Sequence, residues 1–229
     1  MKQAIFIVAS LLILTISSCQ KEDENGSVML IFEGVNQTLK STQNELAAEV
    51  NITDFKLSIR DVEFKKDRSD LDSNQVEIRG PFDVDLMSET DALSQTIGTF
   101  DVPDGTYKVL RFKLHKSRDR SQSDPLYDRS LYLKGTIDGV PFEFWHDTSE
   151  NFDIENSGGI VVSGNTADLT VQFVIDQFLN SLHVIDLSQT TDENQNNLIE
   201  INPDDDDSNG ATADKLKENI KEAADLIKL

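Results

Sequence analysis

A single cysteine, Cys19, occurs among the 229 residues, which excludes a disulfide within the chain as a source of stability. Basic residues are also scarce: 21 Lys and Arg stand against 42 Asp and Glu, and the formal net charge is −21. Nucleic acid and anionic lipid both repel so acidic a chain, so neither is an expected electrostatic partner. The most hydrophobic run, Ala4–Ile16, has 13 residues, fewer than the about 20 that a helix needs to span a bilayer.

The N-terminus has the order of features found in a signal peptide. Lys2 provides a positive charge, Ala4–Ile16 is almost entirely apolar, and two small serines follow. Ile16-Ser17-Ser18-Cys19 resembles a bacterial lipobox, in which the cysteine is acylated and becomes the mature N-terminus. The alternatives are an uncleaved membrane anchor, which the run is too short to provide, and an incidental free thiol, which is unfavourable in an oxidising compartment. We therefore predict that residues 1–18 are a signal peptide and that Cys19 is lipidated.

The residues after Cys19 bear on localisation. Gln20–Glu24 resembles the surface-export signal of Bacteroidota lipoproteins, a lysine followed by acidic residues, although an ordinary polar tether has a similar composition. We predict a tether over residues 19–26 and a lipid-anchored protein in the outer membrane, facing outward. Without residues 1–18 the chain has 211 of its 229 residues, with 20 basic against 42 acidic side chains, a net charge of −22. This length suffices for one large or two small domains.

Residues 27–186 have the alternation typical of β-strands. Val28, Leu30 and Phe32 share one face of a first strand, and a phase shift near Arg60-Asp61 predicts a bulge in a second. Asp138-Gly139 between two alternating runs predicts a β-hairpin. Short strands separated by frequent turns favour an all-β fold, an antiparallel β-sandwich.

Other segments have less regular patterns. Gly80-Pro81 predicts a break between two short strands, and residues 176–184 suit either a short helix or an irregular crossing. Residues 187–210 are rich in Asp and Asn and are predicted to form an acidic loop. Residues 211–229 are predicted to form a C-terminal amphipathic helix, with Leu216, Ile220, Ala223 and Ile227 on one face.

Three stretches resemble a known family: Phe82–Leu86, Val102–Phe112 and Gly164–Phe173. They are similar to a domain of unknown function common in Bacteroidota lipoproteins, in which an Asp-Leu strand leads to a Gly-x-Tyr-x-x-x-Arg strand. The resemblance covers about residues 28–186. It implies a transthyretin-like (prealbumin-like) β-sandwich and a cell-surface setting, and it implies no catalytic residues.

Motifs for catalysis are missing from the sequence. It contains no Gly-x-Ser-x-Gly elbow, no His-Glu-x-x-His and no phosphate-binding or dinucleotide-binding glycine loop. His146-Asp147 beside Trp145 is the one neighbourhood suited to acid–base chemistry, but adjacent residues of a strand point to opposite faces. We expect Trp145 in the core or at its rim and His146 at the surface.

The acidic loop contains a candidate calcium site. Asp192–Glu200 resembles the first part of an EF-hand loop, with oxygen-bearing groups at the first, third, fifth and seventh positions. Pro203 occupies the twelfth position and has no ligand atom, so the next residue is expected to substitute. The predicted ligands are Asp192, Asn194, Asn196, the carbonyl of Leu198 and Asp204. A solvated acidic linker is the alternative.

A second candidate site is a group of arginines, Arg118, Arg120 and Arg129, in a loop expected at one end of the sandwich. They suit an anionic glycan or a protein ligand, or they offset neighbouring carboxylates. We expect a non-enzymatic, monomeric binding or adhesion module. One alternative is an envelope or appendage subunit that assembles by strand pairing along an exposed edge of Ser27–Val35. A surface glycan hydrolase is the third hypothesis.

Overall fold

The structure is a computed structural model that describes residues 25–35, 48–67, 75–89, 91–179 and 181–228. The predicted signal peptide, Cys19 and most of the tether lie outside the described residues. Asn25 and Gly26, which were predicted to belong to the tether, already form part of the first strand.

The described residues form twelve strands and two helices. The strands are β1 (Asn25–Val35), β2 (Val50–Lys65), β3 (Gln75–Ser88), β4 (Asp91–Ala92), β5 (Ser94–Pro103), β6 (Gly105–Leu114), β7 (Leu131–Ile137), β8 (Val140–His146), β9 (Asn151–Val162), β10 (Thr166–Val174), β11 (Ile199–Ile201) and β12 (Ala224–Lys228). The helices are α1 (Ile175–Leu179) and α2 (Gly210–Ala223), and a 3₁₀ turn covers Leu187–Gln189. The fold is thus mostly β and sandwich-like, with a short helix near the C-terminus.

A four-stranded sheet, in the order β12-β10-β1-β5, forms one layer. Val28, Leu30 and Phe32 of β1 are fully buried, which confirms the predicted alternation. β1 runs parallel to β10, and β11 runs parallel to β8 in the other layer, so the prediction of a purely antiparallel sandwich is wrong. β1 also has a neighbour on each side and offers no free edge, so the strand-pairing edge predicted at Ser27–Val35 is wrong as well.

The second layer is an eight-stranded sheet built around the long strand β2. β3 pairs along one side of β2, while β7 and β6 pair along the other, beside its first and second halves respectively. Leu131 of β7 lies opposite Leu57, and Leu114 of β6 lies opposite Ile59. The two short strands therefore lie end to end, and residues 115–130 leave the sheet from its middle.

Two local predictions in this sheet are confirmed. The register of β2 shifts between Ile59 and Asp61, where a bulge was expected. Asp138 and Gly139 have φ values of 50° and 81° and join β7 to β8 in an antiparallel hairpin. Positive φ at both central residues suits the right-handed twist of the flanking strands.

The break predicted at Gly80-Pro81 is wrong, because β3 runs continuously through both residues. Ile59 pairs with Phe82 and Asp61 with Arg79, so the proline lies opposite the bulge in β2. A bulge interrupts the ladder of hydrogen bonds, and proline is tolerated there because it has no N–H to donate.

The C-terminal helix is shorter than predicted. α2 ends at Ala223, and the following residues form β12, which pairs antiparallel with β10. The helical residues of the predicted apolar face, Leu216, Ile220 and Ala223, are buried as expected. Ile227 instead lies opposite Thr170 in the sheet. The unsatisfied edge of β10 takes hydrogen bonds from this segment, and that pairing overrides the helical pattern.

The sandwich has two ends, which we call the Asn25 end and the Val35 end after the first and last residues of β1. At the Asn25 end, the Asp104 carboxylate accepts a hydrogen bond of 2.8 Å from the backbone N–H of Gly164. At the Val35 end, β10 stops and α1 begins. There Phe178 packs its ring against Phe55 and Phe144, at 5.2 and 5.8 Å between ring centroids, and closes the core.

Candidate functional site

The arginine-bearing loop lies across the outer face of the eight-stranded sheet and not at one end of the sandwich, as was expected. Ser117 Oγ donates to Asp83 of β3 at 3.2 Å, and Arg120 Nε donates to the same carboxylate at 2.6 Å. Arg120 also donates to Asp124 within the loop at 2.7 Å. The loop therefore leaves the sheet where β6 and β7 meet, crosses β2 and is attached to β3 on the other side of it.

Each of the three predicted arginines is paired with a carboxylate. Arg118 contacts Asp128 at 3.2 Å near the surface. Arg129 donates to Glu143 at 2.7 Å, and its guanidinium carbon lies 4.6 Å from the centroid of the half-buried Trp145 ring. The three arginines contact different carboxylates and form separate ion pairs, not a single patch. Each of these arginines is therefore paired with a carboxylate of the same chain, as the charge-offset interpretation predicts.

The pKa values in this loop follow from the same ion pairs. Burial alone would lower the pKa of Arg120, but hydrogen bonds to Asp83 and Asp124 raise it well above its usual value. Burial tends to raise the pKa of Asp124, but the hydrogen bonds from Arg120 and the Leu126 N–H, together with the charges of Arg120 and Lys56, outweigh burial and lower that pKa below its usual range. Both groups therefore remain charged near neutral pH.

The predicted calcium loop has a regular set of hydrogen bonds. The two carboxylate oxygens of Asp192 accept from the backbone N–H groups of Asn196 and Asn197, at 3.0 and 2.9 Å. The side-chain amides of Asn194 and Asn196 both donate to one oxygen of Glu200, at 2.8 and 3.0 Å. Four oxygen-bearing side chains of this loop thus converge on a small volume.

Glu200 and Asp207 are the residues of this loop's hydrogen-bond network that the sequence prediction omitted. Glu200 stands at the ninth position of the EF-hand spacing, where a ligand often lies, so the spacing held a signal for it. Asp207 is fully buried and accepts backbone hydrogen bonds from Asn194 at 3.1 Å and Glu200 at 2.9 Å. Asp207 lies beyond the twelve positions of the EF-hand spacing, so the sequence held no such signal for it. Asp204, the predicted fifth ligand, is exposed.

The donor types fit a hard cation that binds oxygen. Asp192 retains carboxylate lone pairs beyond those used by the backbone, and asparagine oxygens, the Leu198 carbonyl and Glu200 supply further oxygen donors. Within the described ranges, no group of three or more His, Cys, Asp or Glu side chains is placed to hold a metal ion. Most donors of this loop are amide or carbonyl oxygens, accompanied by the carboxylates of Asp192 and Glu200, and calcium binding here stays a prediction.

His146 is buried, with 7% of its surface exposed, so the expectation of a surface histidine is wrong. Neither ring nitrogen has a hydrogen-bond partner. The nearest carboxylate oxygens, from Asp147 and from Asp214 of α2, lie 3.6 Å from Nδ1 and Nε2. Burial lowers the pKa of His146, and the charge of Lys217 lowers it further. The imidazole is placed between β8 and α2 as a packing group.

An exposed apolar pair follows α1, which continues from the Val35 end of β10. Leu182 and Val184 are 58% and 80% exposed. Between them, His183 is held by the fully buried Asn219 of α2, whose Oδ1 accepts from the His183 N–H at 2.7 Å. The Asn219 amide donates in turn to the carbonyls of His183 and Phe178, at 2.8 and 2.9 Å. The backbone that carries the apolar pair is therefore fixed.

Comparison with known protein families, curated proteins and solved structures finds no match for this chain. The transthyretin-like fold implied by the family resemblance accordingly remains a prediction. In the part of the chain that the structure describes, no helix is long and apolar enough to cross a membrane.

Proposed function

We propose that this protein is a non-enzymatic lipoprotein of the outer membrane, anchored through acylated Cys19, that binds a glycan or protein ligand at the cell surface. The lipobox and the acidic segment after it support the anchor and the location. The single observation that carries the binding role is the exposed apolar pair, Leu182 and Val184, on a backbone fixed by Asn219.

A fixed apolar pair favours a protein ligand over a glycan. Leu182 and Val184 are only two residues apart, so their Cα atoms lie within about 7 Å of each other and one ligand can contact both side chains. Burying each side chain in a complex would gain about 1.5–3 kcal/mol. Because the backbone is already ordered, little conformational entropy would be lost on binding there.

Site-specific photo-crosslinking on intact producing cells tests this role. A photoreactive amino acid at Val184 is compared with the same amino acid at Val161, a valine of β9 that is 46% exposed and lies near the Asn25 end. We expect a discrete crosslinked product from position 184 only. Adding Leu182→Ser to the position-184 variant is expected to reduce its yield.

Other outcomes would favour the alternative hypotheses. Equal crosslinking at both positions, or none, would contradict a binding surface at the apolar pair. Ladders of the protein crosslinked to itself would favour an assembly subunit, for which β5 and β12 are the edge strands of the four-stranded sheet, since among the described residues each pairs with one strand only. Release of reducing sugar from a polysaccharide by the purified protein would favour a glycan hydrolase.

We further propose that the loop at residues 192–200 binds calcium. The supporting observation is that side chains at the first, third, fifth and ninth EF-hand positions converge, which replaces Asp204 with Glu200 in the predicted ligand set. Extracellular calcium is near millimolar, and sites of about 10⁻⁴–10⁻³ M are typical of extracellular modules. Its role would be to hold the loop beside β11.

Thermal unfolding of residues 25–229, in EDTA and then in millimolar calcium, tests this site. We expect calcium to raise the Tm by several degrees, and Asp192→Ala or Glu200→Gln to abolish the rise. Asp204→Ala is the matched control, an exposed aspartate a few residues away, and should retain it. A Tm that calcium leaves unchanged would return this loop to the solvated-linker interpretation.

A further inference from the structure

We propose, on the basis of the lipid anchor proposed above, that the Asn25 end of the sandwich faces the membrane and that the Val35 end faces away from it. The surface next to the lipid headgroups would be formed by the start of β1 together with the turns at residues 103–105 and 163–165. The loops at the opposite end would then meet partners in the surroundings of the cell.

The start of β1 is held firmly on both sides. Asn25 pairs with Pro103 of β5, and Ser27 pairs with Thr166 of β10, with 2.7 Å between the two hydroxyl oxygens. The turn beyond Pro103 is attached as well, because its Asp104 accepts the 2.8 Å hydrogen bond from Gly164. The chain therefore enters a fixed structure at Asn25.

The tether is short compared with the sandwich. Six residue steps separate Cys19 from Asn25 and can span at most about 21 Å even when fully extended. The 11 residues of β1 extend over roughly 33 Å at the usual rise per residue. The Val35 end can approach the bilayer only if the whole body lies on its side.

Charge disfavours that sideways position. The outer face of the four-stranded sheet bears Glu33 and Asp168, and exposed Asp101 lies on its edge strand β5. On the other sheet, the loop face bears the Arg118–Asp128 pair at the surface. Pressing either face onto headgroups would desolvate charged groups, and an anionic surface would repel a body of net charge −22.

The proposed orientation presents the other end outward. The β7–β8 turn lies there, because Ile137 pairs with Val50 at the start of β2. The loop before β11 lies beside it, because Ile199 pairs with Phe142 near the start of β8. The exposed apolar pair comes shortly after α1, which begins at the same end of β10. The proposed ligand surface and the proposed calcium loop would both be accessible to partners.

Energy transfer from the protein to the bilayer tests the orientation. The acylated Cys19 thiol does not react with maleimide dyes, so one introduced cysteine provides the only labelling site. The four exposed positions are Ser163 at the Asn25 end, Val140 at the Val35 end, Thr99 of β5 in the four-stranded sheet and Asp119 in the arginine loop. The anchored full-length protein is placed in phosphatidylcholine vesicles that carry a headgroup-labelled acceptor lipid.

We expect the highest transfer efficiency from S163C, the lowest from V140C and similar intermediate values from T99C and D119C. Efficiency from V140C equal to that from S163C, or highest efficiency from either side position, would overturn the orientation while leaving the anchor intact. The anchor is checked separately by the mass of the Cys19 peptide and by loss of vesicle attachment in C19S. A chain that is not acylated and does not attach would overturn the anchor and the orientation together.

Discussion

Asn219 of α2 satisfies both backbone polar groups of His183 with its single side chain: Oδ1 accepts from the N–H at 2.7 Å and Nδ2 donates to the carbonyl at 2.8 Å. The same amide nitrogen also donates to the Phe178 carbonyl in α1, at 2.9 Å. One fully buried residue therefore joins α1, the exposed apolar pair and α2. The stability of this corner and the geometry of the proposed ligand surface depend on it.

Asn219→Ala is expected to lower the free energy of unfolding by about 2–4 kcal/mol, because buried backbone groups that lose their partners cost about 1–3 kcal/mol each. Urea denaturation measures the change. Glu222→Ala, an exposed substitution one turn further along α2, is the control and should change stability by no more than about 0.5 kcal/mol. Equal effects of the two substitutions would contradict the role assigned to the buried amide.

Asp207→Ala is expected to destabilise the protein by about 2–4 kcal/mol, because the N–H groups of Asn194 and Glu200 would lose their common acceptor. Asp207→Asn should cost less, since the amide retains one accepting oxygen. The exposed Asp204→Ala is the control for loss of charge in the same acidic run. If Asp204→Ala destabilised the protein as much, general charge and not the buried carboxylate would explain the effect.

His146 is expected to make stability depend on pH. Burial, aided by Lys217, lowers its pKa in the folded state below the unfolded value of about 6.5. Below that value the unfolded chain binds more protons than the folded one, so stability should fall as the pH falls from about 6.5 through the folded-state pKa.

Chemical denaturation of the wild type and of His146→Gln between pH 7.5 and 5 measures this contribution. Glutamine does not titrate, so the variant should lose less stability over this range. The nearby acids Asp147 and Glu150 have pKa values lowered chiefly by hydrogen bonds from Lys116 and Lys221, and they should stay ionised throughout. Parallel pH profiles for the two proteins would exclude His146 as the titrating group.

Gly135→Ala is expected to destabilise the fold by about 1–3 kcal/mol or more, the usual range for overpacking. A Cβ at Gly135 in β7 would overlap the carbonyl oxygen of Asn51 in β2, and backbone cannot move aside as a flexible side chain can. Gly158→Ala is the control, since a Cβ there would meet only the Asn156 side chain, at 3.4 Å. Thermal unfolding of both variants, compared with the wild type, distinguishes a steric clash at Gly135 from the general effect of replacing a glycine by alanine.

Local sequence patterns predicted the parts of this fold that local chemistry controls. The alternation in β1, the bulge after Ile59 and the Asp138-Gly139 hairpin all follow from periodicity or turn chemistry within a few residues. The site predictions were less complete. Spacing identified Asp192, Asn194 and Asn196 as neighbours and held a signal for Glu200 at the ninth position, but it held none for Asp207, whose hydrogen bonds reach back to Asn194 across thirteen residues.

Cys19 and the acidic excess are properties of the sequence alone, and they lead to two predictions: a lipid anchor, and no nucleic acid among the partners. The strand pattern likewise determined that the body is mostly β. Only the tertiary structure decided which strands pair, that β1 lies between β5 and β10, and that the chain after Ala223 leaves its helix to form β12. The physical reason is that pairing depends on hydrogen bonds between segments far apart in sequence, and a backbone edge left unsatisfied by one segment can override the local preference of another.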